Sequence, residues 1–290
     1  MKGPPPAPIS AEHAELLSQF RRHQERRNLT ASSIYSIQGT LRSFVRWLEP
    51  DRTIFEVDRK EVESFLDQRR TRDGRAVNSR TRYYLIAHLH GFYKWAMIED
   101  LTDTDPTVKV VRPKMRRVLP RPIDGDALAD ALRGARPQMR AMLALAAFAG
   151  LRCQEIAGLE RDDIIEAKAL IRVRHGKGQK ERIVPLHPDV LEALRVLPMP
   201  RTGALFTRPQ GGRHTPVSTS QVISDYLRRD CGIDATAHML RHWFGTEVYD
   251  NSKDLRVTQE LLGHASPTTT AGYVAYSHVD AAAAVGSLAL

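Results

Sequence analysis

Cysteines and long hydrophobic runs are nearly absent from this sequence. Its two cysteines, Cys153 and Cys231, form no disulfide framework and lack the paired spacing of a zinc site, which favours a reducing compartment. No apolar stretch approaches the roughly 18 residues that a membrane span requires. The opening segment, MKGPPPAPIS, lacks the apolar core of a signal peptide. These absences argue against a disulfide-rich secreted domain and against a membrane protein, and we expect a cytoplasmic protein.

Basic residues are in excess in the first part of the chain. Residues 1–122 contain 23 Lys and Arg against 15 Asp and Glu, whereas residues 123–290 contain 20 against 19. A basic side chain that neutralises a phosphate releases the counterions held there, which adds to the binding affinity. This distribution therefore indicates a polyanion partner. A basic surface without such a partner fits the charge equally well. The densest run, TVKVVRPKMRRVLPRP at 107–122, carries six cations and no acid: Lys109, Arg112, Lys114, Arg116, Arg117 and Arg121.

The region before this run has helical periodicity. Apolar residues recur at helical spacing and predict four helices, around residues 13–27, 33–49, 58–72 and 77–99, that form a compact bundle. Arginines on the polar faces of these helices are candidates for contact with a nucleic-acid backbone, although each of them alone also fits an ordinary solvated surface. They are Arg80 and Arg82, with Arg21, Arg22, Arg69 and Arg70.

The basic run contains prolines and predicts an extended linker at 107–122, between a domain at 1–106 and a second domain at 123–290. Helical patterns at 124–133 and 138–149 open the second domain. The strand-like segments ALIRVRH and ERIVPL follow, separated by GKGQK, whose glycines suit a hairpin turn. From about residue 188 the pattern is helical again. The predicted fold class is therefore mainly α with a small antiparallel β-sheet.

Two segments of the second domain carry charged side chains that could serve a functional site. In AGLRCQEIAGL, Arg152 follows an apolar helix and precedes Glu155 by three residues, so it is either paired with that carboxylate or aimed into a cleft. Lys177 lies in the hairpin turn. Its long ammonium side chain can enter and leave a substrate groove as a proton donor, and it equally fits an ordinary turn lysine.

Two further segments carry histidines. In AHMLRHWFGT, His238 and Arg241 share one helical face, so both can touch one phosphate, the arginine donating to its oxygens and the histidine moving a proton. A zinc site at His238 and His242 is an alternative, but the helix lacks the Glu of a metalloprotease motif. In LLGHASPTTTAGYVAY, Tyr273 follows His264 by nine residues, a segment that in isolation fits an ordinary helix junction.

The order Arg, Glu, Lys, His-x-x-Arg, His, Tyr resembles the catalytic domain of the tyrosine recombinases, which include the phage integrases and the Xer-type recombinases. The matching segments are GLRCQEIAGL, GKGQKERIVPL, HMLRHWFGTEV and LLGHASPTTTAGYV, and the similarity spans residues 123–279. The resemblance implies an α+β catalytic domain after a helical core-binding domain. It also implies a site-specific recombinase that works through a 3′-phosphotyrosyl intermediate and a Holliday junction, with no metal and no cofactor.

The resemblance also implies a role for each matching residue. Tyr273 would be the nucleophile, with Tyr276 as a second candidate. Arg152 and Arg241 would clamp the scissile phosphate, and His238 would act as general acid and base.

The remaining matches have supporting roles. Lys177 would protonate the leaving 5′ oxygen, His264 would donate a hydrogen bond to the phosphate, and Glu155 would buttress the site.

The partners implied by the resemblance are double-stranded DNA recombination sites and further copies of the chain. We expect a homotetramer on two duplexes, a monomer or dimer when free, no membrane, no extra arm-binding domain, and a tail at 280–290 that packs on a neighbouring subunit. A metal-dependent nuclease and an inactive DNA-binding regulator of the same fold are the alternatives. A nuclease would need clustered carboxylates near the His and Arg segments, which the sequence lacks there.

Overall fold

The structure is a computed structural model that describes residues 8–48, 52–71, 73–114, 121–174, 181–198 and 200–263. The chain divides into two compact units, Met1–Arg117 and Val118–Leu290. Among the described residues, no helix combines the length and the apolar character that crossing a membrane requires. The predicted fold class is confirmed, because helices dominate and the strands form one small antiparallel sheet.

The described part of the first unit contains four α-helices, each preceded by a capping side chain. Thr30 and Asn78 accept hydrogen bonds from the amides of Ser33 and Thr81, which would otherwise lack partners. A short 3-10 turn spans Ile54–Glu56. The helices are α1 (Ala11–Arg26), α2 (Ala31–Trp47), α3 (Arg59–Gln68) and α4 (Ser79–Ile98).

Aromatic side chains fill much of the core of the first unit. Phe20 lies between Phe92 and Trp95, with ring centroids 5.4 and 5.0 Å away, and Phe44 meets Phe65 at 4.8 Å. Such edge-on and tilted pairs add to the stabilisation from burial alone.

The start of the basic run departs from its predicted extended form. Residues 106–109 form turns, and Thr107 and Val110 are buried, Val110 within the core of the first unit. Asp105 holds this turn, because its carboxylate accepts from the Thr107 amide at 2.8 Å and lies 2.6 Å from Nδ1 of His90. Tertiary hydrogen bonds therefore fold a segment whose local sequence predicts extension.

The second unit contains seven helices in its described part and one antiparallel sheet of order β1-β2-β3. Ile171 in the middle strand pairs with Ile164 on one side and Val184 on the other. The strand β1 is two residues long, too short to produce a periodic pattern, and the sequence did not predict it. The elements are α5 (Gly125–Gly134), α6 (Pro137–Phe148), α7 (Cys153–Gly158), β1 (Ile164–Ile165), β2 (Leu170–Val173), β3 (Arg182–Pro185), α8 (Pro188–Arg195), α9 (Pro216–Asp225), α10 (Ala237–Ser252) and α11 (Leu255–Leu262).

The central helix of the second unit is α6, whose residues 141–147 are all buried. It packs against α7, α8 and α10, and Glu155 of α7 lies 3.8 Å from Arg241 of α10. The chain leaves α6 through Gly150, which has φ +61° and a carbonyl that accepts from Arg241 of α10. This tight exit places Arg152 directly before α7.

Candidate active site

Glu155 is the acidic centre of the site. It occupies the first turn of α7, where one carboxylate oxygen accepts from the backbone amide of Arg152 at 2.8 Å, a capping interaction. The other oxygen accepts from Nη1 of Arg152 at 2.9 Å. Its side chain is 1% exposed. Of the two predicted arrangements for Arg152, the structure shows the ion pair, while the arginine side chain keeps 27% of its surface exposed.

A second arginine, which the sequence analysis missed, makes the stronger contact with Glu155. Arg182 begins β3, and its two terminal nitrogens each donate to a different oxygen of Glu155 at 2.8 Å. This bidentate arrangement is the strongest geometry for an arginine and a carboxylate. Strand alternation offered a signal, because Arg182 lies two residues before buried Val184 and so shares its inward face.

Arg241 supplies the third guanidinium. It is 2% exposed, and its two terminal nitrogens donate to the carbonyl oxygens of Gly150 and Leu262. Its Nη1 also lies 3.8 Å from Glu155. Burial of the Glu155 carboxyl raises its pKa, but the hydrogen bonds and charges of Arg182, with contributions from Arg152 and Arg241, outweigh burial and hold that pKa below its usual value.

The three arginines converge on the carboxyl end of α11. Nε of Arg182 donates to Leu261 at 3.0 Å, Arg241 donates to Leu262, and Nη2 of Arg152 donates to Gly263 at 3.3 Å. Three successive carbonyl oxygens at the negative end of a helix thus each accept a hydrogen bond from one arginine.

His238 lies one turn before Arg241 on α10. Its ring is partly exposed and meets the ring of His242 edge to face, with centroids 4.2 Å apart. Partial burial, followed by the positive charges of Arg241 and Arg152, lowers the pKa of His238. Burial, the His238 ring and the charge of Arg241 lower the pKa of His242 to about 4. Neutral imidazoles therefore predominate at neutral pH.

The structure brings together four of the predicted site residues: Arg152, Glu155, His238 and Arg241. Lys177, His264, Tyr273 and Tyr276 lie outside the described residues. Across the described ranges, no group of three or more His, Cys, Asp and Glu side chains is placed to hold a metal ion.

The predicted DNA-contact residues differ in their surroundings. Arg82 is engaged in an ion pair with Asp67 at 2.7 Å. Arg116 and Arg117 lie outside the described residues, as does the segment 280–290. The remaining five are exposed: Arg80, Lys109, Arg112, Lys114 and Arg121.

Four further arginines from the polar faces have partners within the first unit. Arg21 and Arg22 pair with glutamates on their own helix. Arg69 donates to Ser43, and Arg70 donates to nearby backbone carbonyls.

Comparison with known proteins places this geometry in a family. Residues 124–281 match the phage integrase family, and residues 17–100 match the phage integrase N-terminal SAM-like domain. The chain is 37% identical over 215 residues to tyrosine recombinase XerC of Azotobacter vinelandii, covering 70% of this chain and 71% of the relative. It is 33% identical over 275 residues to tyrosine recombinase XerD of Lacticaseibacillus casei, covering 87% and 90%.

Solved structures share the fold. A lambda integrase (75–356) dimer bound to a COC′ core site superposes with a TM-score of 0.71 at 18% identity, covering 90% of this chain and 94% of that chain. The Tn1549 transposon integrase in complex with transposon right end DNA superposes with a TM-score of 0.72 at 17% identity, covering 94% and 98%. With the sequence matches over both units, the chain belongs to the phage integrase family and is a tyrosine-type site-specific recombinase.

Proposed function

We propose that this protein cuts and rejoins DNA at specific sites through a 3′-phosphotyrosyl intermediate, with Tyr273 as nucleophile and a Holliday junction between the two rounds of exchange. The observation that carries the proposal is that Arg152 and Arg241 both donate to carbonyl oxygens at the end of α11, with His238 one turn from Arg241 on α10. In the sequence, His264 directly follows Gly263, the residue that caps this helix end, and Tyr273 follows nine residues later.

The charge of the site supports phosphoryl transfer. Arg182 and Glu155 neutralise each other through two parallel hydrogen bonds, so Arg152 and Arg241 contribute two positive charges. A phosphodiester carries one negative charge, and attack by a phenolate produces a pentacoordinate state that carries two. Fixed cations near that state stabilise it more than the ground state, which is what lowers the barrier.

The proton transfers have candidate groups. A free phenol has a pKa near 10, so Tyr273 needs a base, and the neutral imidazole of His238 can accept its proton. The tyrosine oxygen then bonds to phosphorus, the bond from phosphorus to the 5′ oxygen breaks, and Lys177 donates a proton to that oxygen. The phosphotyrosyl bond keeps the energy of the broken bond, so the 5′-hydroxyl of another strand can reverse the step without ATP.

The DNA partner follows from the basic run and the first unit. We assign DNA binding to residues 1–106 together with the linker at 107–122, and chemistry to residues 123–290. Exposed Lys109, Arg112 and Lys114 support a phosphate contact at the linker. Two relatives of the same fold are integrases bound to a core site and to a transposon end. A complete exchange cuts four strands with one nucleophile per chain, so we propose four copies on two duplexes.

The test starts from DNA that flanks the gene of this protein, on which footprinting locates the bound site. A second substrate carries that site with a nick close to the scissile phosphate. Cleavage then releases a short strand with a 5′-hydroxyl, which diffuses away. Because the strand that could reverse the reaction is gone, the covalent intermediate accumulates. We expect a protein–DNA adduct on a denaturing gel, formed equally well in EDTA. Cleavage that produces no protein–DNA adduct and that EDTA abolishes would support the metal-dependent nuclease. Protection without cleavage would support the inactive regulator.

A further inference from the structure

Arg182 is engaged almost entirely with other parts of the protein. Its side chain is 10% exposed, two of its nitrogens are bound to Glu155, and the third donates to Leu261. A guanidinium in this position has little surface left for a DNA phosphate. We therefore expect Arg182 to affect the site through the groups to which it is hydrogen-bonded.

The first of these groups is Glu155. Three arginines surround this buried carboxylate, and Arg182 takes both of its oxygens. Arg152 is left with one side-chain bond to it, at 2.9 Å, and the Arg152 side chain keeps 27% of its surface exposed. Without Arg182, the carboxylate would be free to form a bidentate pair with Arg152, which is the geometry that arginine prefers. Arg182 thus keeps Arg152 available to a phosphate.

The second group is the end of α11. Arg182 donates to Leu261, and a Cβ at Gly263 would lie 3.0 Å from its Nη1. Gly263 has φ +60°, so it satisfies both the left-handed turn that ends the helix and the close approach of the guanidinium. One planar guanidinium therefore joins the Glu155 carboxylate to the carbonyl oxygen of Leu261 at the end of α11.

We propose that Arg182 is a positioning residue for DNA cleavage, which holds Glu155 and the end of α11 in register so that Arg152 faces the scissile phosphate. The inference rests on the proposed function. Lysine cannot replace arginine here, because a single ammonium group has neither the planar fork for Glu155 nor the separate Nε–H that reaches Leu261.

The experiment compares R182K with a matched control, R174K. Arg174 directly follows β2, pairs with the buried carboxylate of Asp163 at 2.5 Å and makes no described contact with α11. Single-turnover cleavage of the nicked substrate and DNA affinity are measured for both variants. Because small misplacements of reacting groups cost on the order of ten- to a hundredfold in rate, R182K should cleave at least about tenfold more slowly. Its DNA affinity should stay within about twofold of wild type.

The control should stay within about twofold of wild type in both measurements. If R182K cleaves at the wild-type rate, the positioning role of Arg182 is wrong and the proposed function stands. If the wild-type protein forms no adduct, the proposed function is wrong too. If R182K shows no cooperative thermal transition, E155Q/R182Q replaces it, because that double variant removes the buried carboxylate together with its bidentate partner. It should bind DNA and cleave at least about tenfold more slowly, and cleavage at the wild-type rate would again overturn the inference.

Discussion

Arg152 and Gly263, which lie 111 residues apart in the sequence, are joined by a hydrogen bond of 3.3 Å from Nη2 to the carbonyl oxygen. Arg152 is the residue before α7 and Gly263 is the residue after α11, so the bond connects the proposed phosphate clamp to the residue before His264. A phosphate bound by Arg152 must share this guanidinium with the end of α11. Phosphate binding and the placement of the segment that carries Tyr273 are therefore expected to be coupled.

Stability in acid should depend on Glu155. Its pKa is lowered from 4.5 in the folded protein, so its contribution is complete above about pH 4.5 and is lost as the pH falls through the lower folded value. Replacing it with Gln leaves three guanidiniums without their carboxylate, and we expect Glu155→Gln to lower the free energy of unfolding at pH 7 by about 3 kcal/mol. Denaturant unfolding between pH 7 and pH 3 measures both effects.

The matched control for Glu155 is Glu166→Gln. Glu166 is 48% exposed and pairs with Arg161 on the surface, so its removal should cost less than about 1 kcal/mol. Equal destabilisation of the two variants at pH 7 would show that the buried network contributes no more than a surface ion pair.

The pH dependence of cleavage should report His238. Because its pKa is lowered from 6.5, the imidazole is already neutral at pH 7 and can act as a base. We expect the single-turnover cleavage rate to be constant between about pH 7 and pH 8 and to decline only below pH 6.5. His187→Gln, which changes an exposed histidine at the start of α8, should leave this profile unchanged. A midpoint above pH 7 would rule out His238 as the base.

Gly150 should be irreplaceable for two separate reasons. Its φ is +61°, which costs a residue with a Cβ about 1–2 kcal/mol, and that Cβ would overlap the ring of Phe244. Gly203 has φ +84° with no atom within 4 Å of the added Cβ, so Gly203→Ala isolates the cost of the backbone conformation. We expect thermal unfolding to show a much larger destabilisation for Gly150→Ala, by about 1–3 kcal/mol or more. Similar destabilisation of both variants would show that Phe244 moves aside freely.

Much of the fold could be predicted from the sequence because its determinants are local. Helical periodicity placed the four helices of the first unit, and glycines between two strand-like segments placed β2 and β3. The turn at residues 106–109 could not be predicted in this way, because a hydrogen bond between Asp105 and His90, 15 residues earlier, helps to hold it.

The site was predictable to a similar degree. Arg152, Glu155, His238 and Arg241 were found by motif and spacing, and the structure brings them together. Arg182 was missed although it lies in the matching segment GKGQKERIVPL, because its partners come from α7 and α11, which are distant in sequence. Only the folded chain shows that the end of α11 receives three guanidiniums.

The basic linker should account for much of the salt dependence of DNA binding. Replacing Arg112, Lys114, Arg116 and Arg117 together with Gln removes four cations from the run at 107–122. We expect weaker binding and a shallower slope of log affinity against log salt, by up to about one unit for each phosphate that is no longer neutralised. The charge-matched control replaces the exposed residues Arg133, Arg195, Arg228 and Arg229 of the second unit. Equal slopes for both variants would show that only total charge matters.

The most direct measurement of the central claim is adduct formation by Tyr273→Phe on the nicked substrate in EDTA. This variant lacks only the hydroxyl that would bond to phosphorus, so it should bind the DNA with wild-type affinity and form no adduct. Tyr276→Phe, three residues further along the same segment, is the matched control and should form adduct as the wild type does. An adduct formed by Tyr273→Phe would contradict the assignment of Tyr273 as the nucleophile. An adduct that is lost only in Tyr276→Phe would identify Tyr276 as the nucleophile instead.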